Sequence, residues 1–200
     1  CGKRMVVVLP AMENFWYTNM AQGWRYMDYI AEELPNLLPK WLRISKKRED
    51  TFIAGLSMGG YGAYKIGLNN LDRFAAVASF SGAVDIASTQ MPSTPDDPSL
   101  PNFELQSVFG IDNLSELEGT EHDIFVLMER AIASGKPLPK FYQSCGTDDF
   151  LYQQNLVFRD YMNETGVDHT FYEQPGIGHE WDFWDSEVKK LLHWLPIRDV

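Results

Sequence analysis

Residues 50–70 read DTFIAGLSMGGYGAYKIGLNN, and this stretch decides the fold. Its first part, Thr51–Ala54, is short and apolar, as a buried strand is. Its last part, Tyr61–Leu68, has the spacing of small and apolar residues of a helix packed on a sheet. Between them lies G-x-S-x-G around Ser57, which in this strand–turn–helix context is typical of a nucleophile elbow. We predict that Ser57 is a nucleophile and that the Met58 amide points to where an oxyanion would form.

Composition narrows the class of protein. The chain has 200 residues, 44% of them hydrophobic, which is enough for one domain with a sizeable core. A net charge of −11 argues against nucleic acid or an anionic membrane as a partner. No apolar run approaches the length of a membrane span. The two cysteines, Cys1 and Cys145, give no disulfide framework, so we expect a reduced, cytoplasmic setting.

Strand-like and helix-like segments alternate along the chain. This order predicts a mostly parallel sheet with helices on both faces, an α/β fold without internal repeats. The further predicted strands are Met5–Leu9, which reads as fully buried, Phe74–Ser81, Leu138–Cys145 and Asp168–Gln174. The further predicted helices are Trp24–Trp41 with a kink at Pro35, Tyr152–Thr165 ended by Gly166, and Trp181–Trp194.

The segment 84–136 is long for a connection, and its periodicity is weak. Within it, Met91–Asn102 is too rich in proline for a regular element, and short helices are expected near 102–109 and 123–133. Such insertions are often lids. We therefore predict a single domain over residues 1–200 in which 84–136 forms a cap above the site.

A serine nucleophile needs a base, and four histidines are available. His179 lies in the glycine-rich loop of PGIGHEW, between the last strand and the last helix, at the same sheet edge as the elbow. His122, His169 and His193 lie in the cap, in a strand and on the last helix, where structural or exposed roles are expected. His179 is therefore the predicted base.

The acid that orients the base should follow a strand between Ser57 and His179 in the chain. Asp148 and Asp149 both follow the strand that ends at Cys145, and the G-x-x-D spacing favours Asp149. Either aspartate could instead cap the next helix, and one could cap while the other orients the histidine. The order serine, aspartate, histidine is that of an α/β hydrolase. Ser81 also ends a strand, but it lacks the second glycine and is interpreted as structural.

Several bulky side chains are expected near this edge. The loop after Leu9 contains Trp16 and Tyr17, which either pack over the sheet or line a substrate pocket, since ligands bind beyond the carboxyl ends of parallel strands. Trp181 follows the predicted base closely. Together with Met58 these residues predict a pocket for a small acyl group.

Four motifs together resemble one family. GLSMGGYGAYKIGL, SFSGA, CGTDDFLY and GIGHEWDFW are similar, in order and spacing, to the esterase D and tributyrin esterase proteins, which are related to feruloyl and acetylxylan carbohydrate esterases. The resemblance runs from about Met5 to Pro196. It implies an α/β-hydrolase fold, a serine carboxylesterase activity on short-chain acyl esters, and no cofactor or metal. It also implies nucleophile, base and acid roles for Ser57, His179 and Asp149.

The chain departs from this family at its front. Family members have earlier strands and a His-Gly loop that donates a second oxyanion amide, and neither precedes Met5–Leu9 here. We expect that the chain is a fragment, or that a second copy or a partner segment covers the edge of 5–9.

Two alternative functions stay open at this point. Relatives of esterase D include S-formylglutathione hydrolases, which cleave a thioester. A truncated, non-catalytic carbohydrate-binding relative would keep the three residues without a complete oxyanion hole.

Overall fold

A single parallel sheet forms the centre of the protein. The computed structural model describes residues 2–89 and 103–197. The sheet order is β1-β2-β3-β4, and each strand pairs in parallel with the next one along the chain. The predicted parallel α/β architecture is therefore confirmed. The strands are β1 (Phe52–Leu56), β2 (Ala76–Phe80), β3 (Lys140–Gly146) and β4 (His169–Gln174).

Helices connect the strands and follow the last one. The last two helices have the predicted bounds, and Gly166, with φ +70°, ends the earlier of them in the left-handed conformation that glycine tolerates. The helices are α1 (Tyr26–Asp28), α2 (Leu34–Trp41), α3 (Met58–Asn69), α4 (Phe103–Phe109), α5 (Ile124–Ala133), α6 (Tyr152–Thr165) and α7 (Trp181–Trp194).

The helix predicted over 24–41 is interrupted rather than simply kinked. A π-helical turn, Tyr29–Glu33, joins α1 to α2. Pro35 lies at the start of α2 and lacks the N–H that a regular α-helix would use there. The i→i+5 hydrogen bonds of the π-helical turn just before it are consistent with this missing donor. The side chains of Ile30 and Ala31 pack inward on this turn.

Side chains of the strands alternate between two cores. Phe141 faces the core shared with α3 and α6, where its ring stacks on Tyr64 at 5.4 Å between centroids. The next residue, Tyr142, faces the opposite core with Phe183 of α7. Because successive residues of a strand point to opposite faces, both faces of this sheet are apolar and both are covered by helices.

The predicted strand Met5–Leu9 is wrong. These residues form no strand of the sheet, and their side chains are exposed, with Leu9 89% accessible. An apolar run becomes a buried strand only when a neighbouring strand and a covering layer receive it. The sheet begins instead at β1, whose one neighbour within the described residues is β2.

The segment 84–136 is described in part. The proline-rich stretch 91–102 lies outside the described residues. Beyond it, α4 and α5 take their predicted places, and Asp123 caps α5 by accepting a hydrogen bond from the Phe125 N–H at 2.9 Å. Leu127 and Met128 of α5 enter the same core as α3. The assignment of this segment as a cap stays a prediction.

Candidate active site

Ser57 lies in a sharp turn between β1 and α3. Its backbone has φ 53° and ψ −124°, a conformation that a residue with a Cβ rarely adopts. Hydrogen bonds on both sides hold this turn. The Ser57 N–H donates to the Phe80 carbonyl at 2.9 Å, and the Ser57 carbonyl accepts from the Gly60 N–H at 2.9 Å. The conformation projects the hydroxyl out of the turn at the carboxyl end of the sheet.

Two glycines permit this close approach of strand and helix. A Cβ on Gly55 would lie 2.0 Å from the carbonyl oxygen of Gly59, and a Cβ on Gly60 would lie 2.4 Å from the Ser79 hydroxyl. Both distances are shorter than a carbon atom tolerates, and the first partner is backbone that cannot rotate away. Gly55 and Gly60 of the G-x-S-x-G-G stretch are therefore required by packing.

The imidazole of His179 joins two side chains that are distant in sequence. Its Nε2 lies 2.8 Å from the Ser57 hydroxyl, and its Nδ1 lies 2.8 Å from Oδ2 of Asp149. With Nδ1–H donating to the carboxylate, Nε2 is free to accept the serine proton. The structure thus brings together the three residues that the sequence singled out.

The carboxylate of Asp149 is buried and fully occupied. Its side chain has no exposed surface, and Oδ1 accepts a hydrogen bond from the Leu151 N–H at 2.8 Å. Burial acts to raise the pKa of Asp149, but the hydrogen bonds, led by that from His179, outweigh it and hold the pKa below its ordinary value. The group is therefore an anion facing the imidazole.

Asp148 does not face the imidazole. Its Oδ1 accepts a hydrogen bond from the Thr147 hydroxyl at 3.0 Å, and its N–H donates to the Ile177 carbonyl at 3.1 Å. Of the pair, Asp149 contacts the imidazole through Oδ2, and neither aspartate caps α6, whose N-cap residue Leu151 has no side-chain cap hydrogen bond.

The other three histidines have partners elsewhere. His122 contacts the Lys65 amine, His169 Nε2 lies 3.0 Å from the amide oxygen of Gln143, and His193 donates to the Lys189 carbonyl. Burial lowers the pKa of His122 and of His169 to about 4, so both are neutral near pH 7. Ser81, the other serine at a strand end, is completely buried.

Helix α3 begins directly after Ser57, which is its N-cap residue. Met58 is its first residue, and N–H groups in the first turn have no partner inside the helix. The helix dipole adds partial positive charge at this end. An anion beside Ser57 would therefore find both a donor and a favourable field.

Aromatic rings surround His179. The Trp184 ring meets the imidazole edge-on at 4.8 Å between centroids and is buried, whereas Trp181 packs against Trp184 and is 73% exposed. On the other side, the Phe150 ring lies 4.7 Å from the imidazole and is 67% exposed. Sequence reasoning missed Phe150, although an aromatic residue directly after the two aspartates was a usable signal.

Trp16 and Tyr17 occupy different environments. Trp16 is buried in the core, edge-on to Tyr61 at 5.7 Å. Tyr17 is half-buried and packs over α3, where its ring fills the space that a side chain on Gly62 would need. The Tyr17 hydroxyl lies 3.0 Å from where a Cβ on Gly59 would be, close to the elbow. Burial raises the pKa of Tyr17.

Two kinds of feature are not found in the described part of the chain. Across residues 2–89 and 103–197, no group of three or more His, Cys, Asp or Glu side chains is arranged to hold a metal ion. No helix in these ranges is long and apolar enough to cross a membrane.

Comparison with known proteins assigns the chain to a family. Residues 5–195 match the Esterase family model, described as "Putative esterase". An acetyl esterase of Caldicellulosiruptor saccharolyticus is 32% identical over 206 aligned positions, which cover 98% of this chain and 76% of that protein.

Solved structures agree with this assignment. FphF, a fluorophosphonate-binding serine hydrolase of Staphylococcus aureus, superposes with a TM-score of 0.80 at 36% identity, over 93% of this chain and 69% of that one. The S-formylglutathione hydrolase FrmB of the same organism gives a TM-score of 0.77 at 38% identity, over 92% and 68%. The chain therefore belongs to the esterase family, the carboxylic ester hydrolases of the α/β-hydrolase fold that the sequence motifs resemble.

Proposed function

We propose that the protein hydrolyses short-chain acyl esters through an acyl-enzyme, with Ser57 as nucleophile, His179 as base and Asp149 as the acid that orients it. The observation that carries the proposal is the continuous chain of two 2.8 Å hydrogen bonds from the Ser57 hydroxyl through the imidazole to Asp149. A hydroxyl, a base and a buried carboxylate in this order form an activated nucleophile.

Acylation begins at the Ser57 hydroxyl. As its oxygen attacks the ester carbonyl, His179 Nε2 removes the proton, and the resulting imidazolium is stabilised by the anionic Asp149. The carbonyl oxygen becomes an oxyanion, and the tetrahedral intermediate collapses when His179 returns the proton to the departing alcohol. The acyl group is then bonded to Ser57.

Deacylation repeats the same steps with water. His179 removes a proton from a water molecule as it attacks the acyl-enzyme carbonyl. The second tetrahedral intermediate breaks as His179 returns the proton to the Ser57 oxygen, which releases the carboxylic acid and restores the Ser57 hydroxyl. Because Asp149 is bonded on both oxygens, it keeps the imidazole in one tautomer and one orientation through both halves of the reaction.

The Met58 N–H is the proposed oxyanion donor. Its place at the start of α3, directly after the nucleophile, matches the position that this donor has in a nucleophile elbow. One such donor contributes about 2.7 to 4 kcal/mol of transition-state stabilisation. A second donor is part of the proposal but is not assigned to a residue of this chain.

The exposed rings of Phe150 and Trp181 form the proposed leaving-group side of the pocket. The departing alcohol takes its proton from His179 Nε2, so it must lie against the imidazole. Phe150 contacts this imidazole directly, Trp181 packs on Trp184 beside it, and both Phe150 and Trp181 are mostly exposed. Met58 and Tyr17, which lie nearer the elbow, are the candidates for contact with the acyl group.

Kinetics with p-nitrophenyl esters test the proposal. We expect hydrolysis of the acetate and butyrate esters with a burst of p-nitrophenol equal to the enzyme concentration, and a sharp loss of kcat/KM as the acyl chain lengthens to octanoate. Ser57→Ala should lower kcat by about 10⁶-fold, whereas Ser186→Ala on α7 is the matched control and should leave it unchanged. Near-normal turnover by Ser57→Ala would overturn the assignment.

A second candidate substrate is a thioester. The similarity to FrmB, named an S-formylglutathione hydrolase, favours it, and the same nucleophile and base would serve. The ratio of kcat/KM for S-formylglutathione to that for ethyl acetate separates the two. The alkaline hydrolysis rates of the same two compounds give the ratio expected from intrinsic reactivity alone. An enzymatic ratio near one hundred or above, and larger than this alkaline ratio, would favour the thioester.

A further inference from the structure

A second polar cluster lies on α3, away from the ester site. Lys65 is buried, with only 2% of its surface accessible. Its amine donates to the Thr18 hydroxyl and lies 2.8 Å from Nδ1 of His122. Lys65 lies eight positions after Ser57, a distance of about 12 Å along the axis of α3. The cluster therefore cannot belong to the reaction at Ser57.

Both partners of the Lys65 amine are neutral acceptors. The Thr18 hydroxyl donates its own hydrogen to the Trp16 carbonyl at 3.1 Å, so its oxygen receives the Lys65 N–H. His122 is neutral, and its Nδ1 accepts from Lys65 while Nε2–H faces Glu121 at 3.9 Å. An ammonium has three N–H donors, so one of them has no role in these contacts.

The charge of Lys65 has no close counterion within residues 2–89 and 103–197. No carboxylate in these ranges lies within 4.0 Å of its nitrogen. Glu121 is the acidic group nearest in the cluster, but its side chain is 77% exposed and is screened by water. Because a buried ammonium among neutral acceptors costs free energy, a small anion close to it would be strongly favoured.

A cavity of about 100 Å³ opens beside this amine. It has room for about three water molecules or one anion of similar size. Asn69 uses one amide hydrogen on the Lys65 carbonyl at 2.8 Å, which leaves its second amide hydrogen for the cavity. The lining residues are Asn19, Met27, Lys65, Asn69, Glu121 and His122.

We propose that this Lys65 cavity binds a small anion, a carboxylate or inorganic anion of the size of acetate or phosphate, through the free N–H groups of Lys65 and Asn69. The anion neutralises the buried ammonium. It also rests against three separate segments of the cavity lining, because Asn19 precedes α1, Lys65 is on α3 and His122 precedes α5. Occupancy of the cavity thereby holds these segments together.

The binding should depend on pH through Lys65. Burial lowers the pKa of the Lys65 amine to about 7, so above this pH the free cavity loses its positive charge. His122, with a pKa of about 4, and Tyr61, whose pKa burial raises well above 10, do not titrate near neutrality. Glu121 is the carboxylate among the lining residues. Anion affinity should therefore fall at least tenfold between about pH 6 and about pH 8.5.

Thermal unfolding with acetate, chloride and phosphate in separate titrations tests the proposal. Ionic strength is kept constant with sodium gluconate, whose anion is too large for the cavity. At about pH 6 the preferred anion should raise the unfolding midpoint saturably, by about 3 to 5 °C at ten times its dissociation constant. Lys65→Met should abolish this shift, and the surface control Lys189→Met should keep it. No saturable shift, or an equal shift in Lys65→Met, would overturn the proposal.

A measurement on the unaltered protein covers the case in which Lys65→Met does not fold. Crystals soaked in sodium bromide should show an anomalous peak beside the Lys65 nitrogen. Soaks at about pH 6 should give the peak, and soaks at about pH 8.5 should weaken it. Absence of a peak in the cavity at saturating bromide would count against the anion site.

Discussion

Oδ2 of Asp149 lies 2.8 Å from Nδ1 of His179, whereas its neighbour Asp148 bonds to Thr147 instead. Two adjacent aspartates of equal charge thus have different surroundings. The first is buried and bonded on both oxygens, and the second is at the surface of the same loop. The pair offers a comparison in which the chemistry of the substitution is identical and only the position differs.

Asp149→Asn should lower kcat for p-nitrophenyl acetate by about 10⁴-fold, because an amide favours the wrong imidazole tautomer and no longer stabilises the imidazolium. Asp148→Asn should change kcat by less than threefold. The two variants are assayed at the same pH, with circular dichroism as the control for folding. If the two losses were equal, or in the reverse order, Asp149 would not be the orienting acid.

Gly55→Ala should destabilise the fold by about 3 kcal/mol, because its Cβ would lie 2.0 Å from the Gly59 carbonyl. Gly178→Ala is the matched control, since its Cβ would meet only an ordinary contact at 3.7 Å, with the Asp148 carbonyl. Urea unfolding of both variants gives the comparison. Equal midpoints would show that β1 and α3 do not approach as closely at the elbow as described.

Phe150→Ala should lower kcat/KM about tenfold for benzyl acetate and leave that for ethyl acetate nearly unchanged. The acyl group is the same in both esters, so the difference isolates contact between the ring of Phe150 and the leaving group. Phe150→Leu keeps apolar bulk and should recover part of the loss. A uniform loss for both esters would mean that Phe150 supports His179 instead of contacting the alcohol.

The free energy of unfolding should rise with pH above neutrality because of Lys65. Burial lowers the folded-state pKa of its amine to about 7, below the ordinary 10.5, so the unfolded chain binds more protons between these values. At low anion concentration, the free energy of unfolding should increase by about 2 to 3 kcal/mol between about pH 7 and about pH 9. Lys65→Met should lack this rise, and Lys189→Met should retain it. Parallel pH profiles for wild type and Lys65→Met would refute the shift.

The elements that the sequence predicted well carry their own local signals. The helix 152–165 ends at a glycine that adopts positive φ, and the elbow is specified by glycines whose replacement would clash. The adjacent aromatics Phe141 and Tyr142 of strand 140–146 enter two cores, one on each face of the sheet. In these segments local pattern and tertiary packing act in the same direction.

Other features depend on contacts that no local pattern reports. Met5–Leu9 is as apolar as a buried strand, yet it is exposed because burial is decided by its neighbours in space. The choice between Asp148 and Asp149 depends on which carboxylate the loop turns toward His179. Lys65 lies within an apolar helix pattern, and only the folded positions of Thr18 and His122 show that its amine is buried with them.

The central claim is that Ser57 is an activated nucleophile, and covalent labelling with a fluorophosphonate probe tests it most directly. Intact mass followed by peptide mapping should show one adduct per chain, on the peptide that contains Ser57, with labelling slowed by orders of magnitude in His179→Ala. A protein that stays unlabelled, or is labelled on Ser81 or another residue, would contradict the account and favour a non-catalytic relative.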